Sequence, residues 1–182
     1  MKPSSARRSA FTIIELLIVM SIIIVLAGLV LATSGYVQKK GARSRAEAEI
    51  AAMSAALESY KADNGIYPSD ATTEKLAANT DVDATTKIYE NASLYLYKQL
   101  SGDINGTRSA TAKSYMAFKP NMLKPPPPST ADVTAIRDPF GNSYGYSTIR
   151  AKVPAGSDGY NPTFDLWSTA TSSAQNQWIK NW

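Results

Sequence analysis

One carboxylate stands alone in an apolar stretch. From Phe11 to Ala32 the chain has 22 residues, and only Thr12, Glu15 and Ser21 among them carry polar side chains. A carboxylate is costly in a lipid or filament interior, so Glu15 must accept hydrogen bonds, pair with a cation, or both. The chain has no cysteine and no histidine. Thiol nucleophiles, disulfides, thiolate metal sites and imidazole bases are therefore excluded. No nucleophile–base pair, phosphate-cradling loop or carboxylate cluster with metal-ligand spacing stands out, so the expectation is a non-enzyme without a cofactor.

Other candidate groups have plainer readings. Lys39, Lys40, Arg43 and Arg45 follow the apolar run and suit a solvated helix, with nucleic-acid binding the disfavoured alternative. The net charge is +4, from 19 basic and 15 acidic side chains. Three of the basic ones, Lys2, Arg7 and Arg8, lie in the first ten residues, and without them 16 face 15. The overall basicity thus belongs mostly to the N-terminal segment. Asp103 and Asn105 offer oxygens with the look of a calcium loop, but no Glu follows at the required spacing, which favours a turn. Asn91-Ala-Ser93 and Asn105-Gly-Thr107 match the N-glycosylation pattern by spacing alone.

The elements that must carry these residues follow from periodicity. A helix of 22 residues spans about 33 Å, enough to cross a bilayer. Three basic side chains precede it and four follow closely, so charge alone does not orient it. Val30-Leu31-Ala32 would also serve as a signal-peptidase site releasing a soluble domain. Beyond the run, Ala46, Ile50, Met53, Leu57 and Tyr60 recur at helical spacing and predict an amphipathic continuation. Gly28, Gly35 and Gly41 are weak points along it, and Asp63-Asn64-Gly65 with Pro68 ends it near Ala62. Tyr60 and Tyr67 should pack beneath that exit.

Further along, 70–79 reads as a short helix capped by Asp70 with Leu76 inward. Residues 91–100 read as a helix with Leu94, Tyr97 and Leu100 on one face, though alternation also permits a strand. Tyr115, Ala117 and Phe118 suggest a strand, and Pro125 to Pro128 a polyproline II surface loop. Asp138-Pro-Phe-Gly141 is a β-turn, after which 142–149 and 163–168 should pair as an antiparallel hairpin. There Phe164 and Leu166 alternate against Asp165 and Trp167, and Trp178 to Trp182 should close the core. The fold class is α+β: a long N-terminal helix, transmembrane then amphipathic, on a small C-terminal antiparallel sheet.

The segment Ser9-Ala10-Phe11-Thr12-Ile13-Ile14-Glu15-Leu16, behind a short basic leader, resembles the processing signal of the type IV pilin and pseudopilin superfamily. Ala10 stands where that family usually has Gly, and a small residue is kept. The stretch Tyr60-Lys-Ala-Asp-Asn-Gly-Ile-Tyr-Pro68 resembles the helix exit of the major-pseudopilin (protein G) family of type II secretion. Asp138-Pro-Phe-Gly-Asn-Ser-Tyr-Gly-Tyr146, with Phe164-Asp-Leu-Trp-Ser168, resembles its C-terminal sheet, leaving about 70–130 as an enlarged insertion.

The resemblance implies a pilin-like fold with a leader, 1–10, cut between Ala10 and Phe11 by a prepilin peptidase, and N-methylation of Phe11. It implies a transmembrane or filament-core helix over 11–35, an amphipathic helix over 36–62, a variable region over 63–137 and the sheet over 138–182. Glu15 would pair with the Phe11 amine of a neighbour in a homo-oligomeric filament. Before assembly the chain would sit in inner-membrane lipid, single-pass with its C-terminal domain periplasmic, beside an assembly platform. The implied role is a pseudopilus subunit in protein export. The alternative is a type IV pilin for adhesion, motility or DNA uptake, which often carries a C-terminal disulfide impossible here. A membrane-anchored binding module is the alternative from another class. The family commonly binds calcium after its last strand. Here Ser168-Thr-Ala-Thr-Ser-Ser-Ala-Gln-Asn-Gln177 brings no acid and Asp165 belongs within the strand, so a calcium site is disfavoured.

Overall fold

A computed structural model describes residues 11–182. The leader and Ala10, with the cleavage junction they form, lie outside the described residues. The chain divides into two units, Met1–Gly41 and Ala42–Trp182. Helix α1, Ile13–Asn64, contributes to both and is helical through Gly28, Gly35 and Gly41.

In the first unit α1 is apolar on every side from Leu16 to Leu31, Ser21 apart. Such a sequence stays helical in lipid because a helix satisfies its own backbone. The helix is long and apolar enough to cross a membrane, and none of its most apolar window is buried by the rest of the chain.

In the second unit α1 is rich in alanine, a strong helix former, and shows one apolar stripe. Ala46, Ile50, Met53 and Leu57 on that stripe are buried, with Ala56 beside them and Tyr60 half-buried. Each large side chain there contributes about 1.5–3 kcal/mol by burial. Gly65, with φ of 79°, ends the helix, and its N–H donates to the Lys61 carbonyl at 2.7 Å. Tyr60 packs on Tyr115 at 5.2 Å and Tyr67 on Phe164 at 5.0 Å, beneath the exit as expected.

Helix α2, Lys87–Ser101, packs Leu96, Tyr97 and Leu100 into the same core. Two strands, β1 (Leu123–Lys124) and β2 (Ala135–Ile136), form a small antiparallel ribbon. The C-terminal sheet has the order β3 (Gly145–Ser147), β4 (Asp165–Ser168), β5 (Ile179–Lys180), all antiparallel. A single turn of helix, α3 (Ile149–Lys152), lies between β3 and β4. Tyr144, Tyr146 and Leu166 face the α1 stripe in one core. The arrangement is α+β, a long N-terminal helix with a small C-terminal antiparallel sheet.

Three local expectations change. Residues 71–80 form successive turns rather than a helix. Asp70 still caps, its Oδ1 accepting from the N–H groups of Thr72 and Thr73 at 3.0 and 2.8 Å, and Leu76 is buried. Thr72 and Thr73 hold χ1 stiffly and favour this break. Tyr115 to Phe118 form no strand, because the N–H groups of Tyr115 and Met116 both turn to the Leu100 carbonyl. The proline run is non-helical but turns at Pro127 and Pro128, and it joins β1 to β2 instead of running as polyproline II between regions.

Trp167 lies opposite Leu166 in the alternation along β4. It is fully buried in a second core with Leu76, Tyr89, Ala92 and Trp178. The turns from Asp70 onward and helix α2 cover that face of the sheet. Gly145 makes room for the ring: a Cβ there would lie 2.2 Å from a Trp167 ring carbon. The expected closing of the core by Trp178 to Trp182 is seen, with Trp178 stacked on Trp167 at 6.1 Å and Trp182 edge-on to it at 5.8 Å.

Candidate functional site

The start of α1 is built by Thr12 and Glu15. The Thr12 carbonyl accepts the first helical bond, from Leu16 N–H at 3.2 Å. The Thr12 hydroxyl accepts from Glu15 N–H at 3.3 Å, while Glu15 Oε2 accepts from Thr12 N–H at 2.9 Å and from its hydroxyl at 2.8 Å. This is a reciprocal capping box, which satisfies donors that a helix start otherwise leaves unpaired. The Thr12-x-x-Glu15 pattern is its sequence signature, and reading Glu15 only as a charge overlooks it.

The cap uses one carboxylate oxygen. Glu15 Oε1 has no partner among the described residues. Ser21, the other polar side chain of the run, bonds the Ile18 carbonyl at 2.8 Å within the helix. What remains at the helix start is a negative charge beside Phe11, which is exposed. Around it, Ile13, Ile14, Leu16 and Leu17 are exposed as well. An apolar surface of this size in water is unfavourable and calls for lipid or protein to cover it.

In the second unit, charged groups mostly serve the fold. The Arg43 guanidinium donates to the carbonyls of Gln177 at 2.8 Å and Trp178 at 3.2 Å, tying α1 to the C-terminal segment. Arg45 is exposed, as are Lys39 and Lys40 at the end of the first unit. The Tyr144 hydroxyl donates to Glu49 Oε2 at 2.7 Å, a second tie from helix to sheet. Burial raises the Glu49 pKa, against the opposing pull of the Tyr144 bond and the Arg45 charge.

Asp103 is a turn hub. Its carboxylate accepts from the N–H groups of Gly106, Thr107 and Arg108 at 2.8, 3.1 and 2.7 Å, and from the Tyr97 hydroxyl at 2.9 Å. Burial pushes its pKa up, but the bonds from Tyr97 and these N–H groups outweigh it and hold the carboxyl below its ordinary value. Its oxygens are therefore engaged inward, as the turn reading expects.

A calcium site of the kind the resemblance implies would fall in the segment after β4. Asp138 is the buried carboxylate beside it, and its Oδ1 accepts from Phe140 N–H at 3.0 Å and Asn142 N–H at 2.8 Å. Its other oxygen accepts from the Ser168 hydroxyl. Asp165 opens β4 and accepts from the N–H groups of Tyr160 and Asn161, each at 2.8 Å. Thr169, Thr171, Ser172 and Ser173 line a shallow hollow with Asp83 and Asn142. Asp83 is the one carboxylate there, and its Oδ1 is bonded to Thr85. Calcium wants six to eight oxygens, usually with several charges, and this donor set does not fit it. No cluster of three or more metal-ligating acidic, histidine or cysteine side chains occurs among the described residues.

Sequence comparison finds a likeness of 38% identity over 66 residues to the type II secretion system core protein G of Pectobacterium carotovorum subsp. carotovorum. The match covers 36% of this chain and 42% of the relative, so the chain spans less than half of that protein's length. No family model matches the chain, and no solved structure matches it significantly. The likeness supports a pseudopilin-like relationship, and the apolar start of α1 is compatible with anchoring in an inner membrane.

Proposed function

We propose that this chain is a structural subunit of a type II secretion pseudopilus, a filament assembled at the inner membrane to drive protein export. One observation carries the reading. A single helix is apolar on all sides and uncovered in its first part, yet lays one stripe into a folded core in its later part. The partial likeness to a secretion core protein supports the same reading. No enzymatic step and no cofactor belong to it.

In this account a prepilin peptidase cuts between Ala10 and Phe11, and the new Phe11 amine is methylated. Until assembly the apolar part of α1 lies in lipid, with the second unit in the periplasm. On assembly the same surface packs against neighbouring subunits, which supplies most of the cohesion. The Phe11 amine of one subunit meets Glu15 Oε1 of the next, while Oε2 keeps its cap on Thr12. Opposite charges attract strongly in a dry interior, but desolvation offsets much of that, so the pair fixes register more than it adds cohesion.

The test is electron microscopy of sheared surface material combined with N-terminal mass spectrometry. The account expects filaments whose subunit begins at Phe11. A dominant N-terminus at Met1 or just after Ala32, or the absence of filaments at high expression, contradicts it. Filaments whose loss leaves export intact would turn the reading to a type IV pilin.

A further inference from the structure

The outer end of the apolar run carries a small polar and aromatic face. Tyr36, Lys39 and Lys40 are separated by three and four residues, so they share one face of α1. All three are exposed, and Tyr36 keeps 72% of its surface open. Neither lysine has a carboxylate partner among the described residues. The next basic residue at this spacing, Arg43, is already engaged by the Gln177 and Trp178 carbonyls.

Their depth is set by helix geometry. If the run from Phe11 to Leu31 fills the hydrocarbon layer, Tyr36 lies about 7.5 Å beyond its end and the lysines about 12–13.5 Å beyond. The headgroup layer is about 5–7 Å thick on each side. Tyrosine favours that level, and lysine stems can lean back toward it with their ammonium groups at phosphate depth. The charges also run against the usual bias, because basic residues flanking a span are favoured on the cytoplasmic side. In the topology proposed above, these two are on the exported side and need a local counter-charge.

We propose that Tyr36, Lys39 and Lys40 form a docking face for anionic phospholipid headgroups of the outer leaflet, fixing the depth of the subunit before assembly. The inference rests on the membrane reading given under the proposed function. Charge complementarity selects the occupant: two ammonium groups at phosphate depth, next to a ring suited to the interface.

The test uses the full chain in nanodiscs of phosphatidylcholine with a minority of phosphatidylglycerol. Native mass spectrometry counts the lipids that stay bound after mild delipidation. Phosphatidylglycerol should be enriched over its share of the bilayer by about fivefold per lysine, the ratio equivalent to ~1 kcal/mol per basic residue at an anionic surface. The double variant Lys39→Gln with Lys40→Gln should lose most of that enrichment. Equal enrichment in both proteins, or none in the wild type, overturns the proposal. Loss of enrichment when inorganic phosphate is added would assign the face to free phosphate and also overturn it. Alkaline extraction of the same samples separates the two readings. A chain retained in the membrane without enrichment refutes only this inference, whereas a chain that is extracted refutes the membrane reading and this inference with it.

Discussion

Asp138 offers a sharp test of how the C-terminal sheet is held. Its carboxylate accepts two backbone N–H groups of its own turn and the buried hydroxyl of Ser168 at the end of β4. Asp138→Ala removes all three partners. Bonds to a charged acceptor are worth about 1.5–3 kcal/mol each. Phe140 and Asn142 are only half-buried and can regain water, whereas Ser168 is fully buried. The loss should therefore be about 3–5 kcal/mol, less than three full bonds. Asp138→Asn keeps an oxygen for the two N–H groups and offers an amide N–H to Ser168. Burial already pushes the Asp138 pKa up, so its charge is disfavoured in place and removing it should cost only about 1 kcal/mol. The three tryptophans all lie in the second unit, so their fluorescence reads its unfolding in the full-length chain in detergent. For a unit of this size the alanine variant should melt about 10 °C lower and the asparagine variant only a few degrees lower. Chelating calcium should leave all three proteins unchanged. An alanine variant within a degree or two of wild type would refute the hub. A large melting loss on chelation, restored by calcium in wild type but not in the variants, would make Asp138 a metal ligand instead.

Two further predictions concern the same unit. Glu49 has a folded pKa raised above its ordinary value of 4.5 by burial. The folded state then binds the proton more tightly than the unfolded one, so this contribution is fully present below pH 4.5 and is lost as pH rises through the window above it. Glu49→Gln keeps an acceptor for Tyr144 but removes the titration, and chemical denaturation at several pH values should show a smaller fall between pH 4.5 and neutrality than in wild type. Parallel curves would refute the assignment. Gly145→Ala places a methyl 2.2 Å from the Trp167 ring and must displace it. Overpacking of this kind costs about 1–3 kcal/mol or more, and near-ultraviolet dichroism of the tryptophan cluster should collapse before the backbone signal changes. An unchanged aromatic spectrum would show that the ring has room.

Patterns fixed by local chemistry were legible in the sequence. The helix stripe from Ala46 to Leu57, the stop at Gly65, the turn at Asp138 and the pairing of 145–147 with 165–167 all follow from spacing or from residues that tolerate few conformations. Features set by long-range partners were not legible. Trp167 looks outward when only its own strand is considered, and nothing local announces that α2 and the turns after Asp70 will cover it. Tyr115 to Phe118 has the composition of a strand, but no neighbouring strand is placed to pair with it, and its first N–H groups find the end of α2. At the candidate site the charge of Glu15 was evident at once. Its second role was equally visible in Thr12-x-x-Glu15, since a capping box depends only on residues three apart.

Those two roles can be separated, and doing so tests the central claim most directly. Glu15→Gln retains a side-chain oxygen for Thr12 N–H and so preserves the capping box, because glutamine serves that position as well as glutamate. It removes the charge proposed to meet a neighbour's Phe11 amine. The decisive measurement is electron microscopy of filaments from wild type and Glu15→Gln at matched membrane levels, with the N-terminus of each determined by mass spectrometry. The account predicts that both chains insert and begin at Phe11, but that only wild type assembles filaments in number. Filaments of wild-type length and abundance from Glu15→Gln would contradict it and leave Glu15 as a helix cap alone.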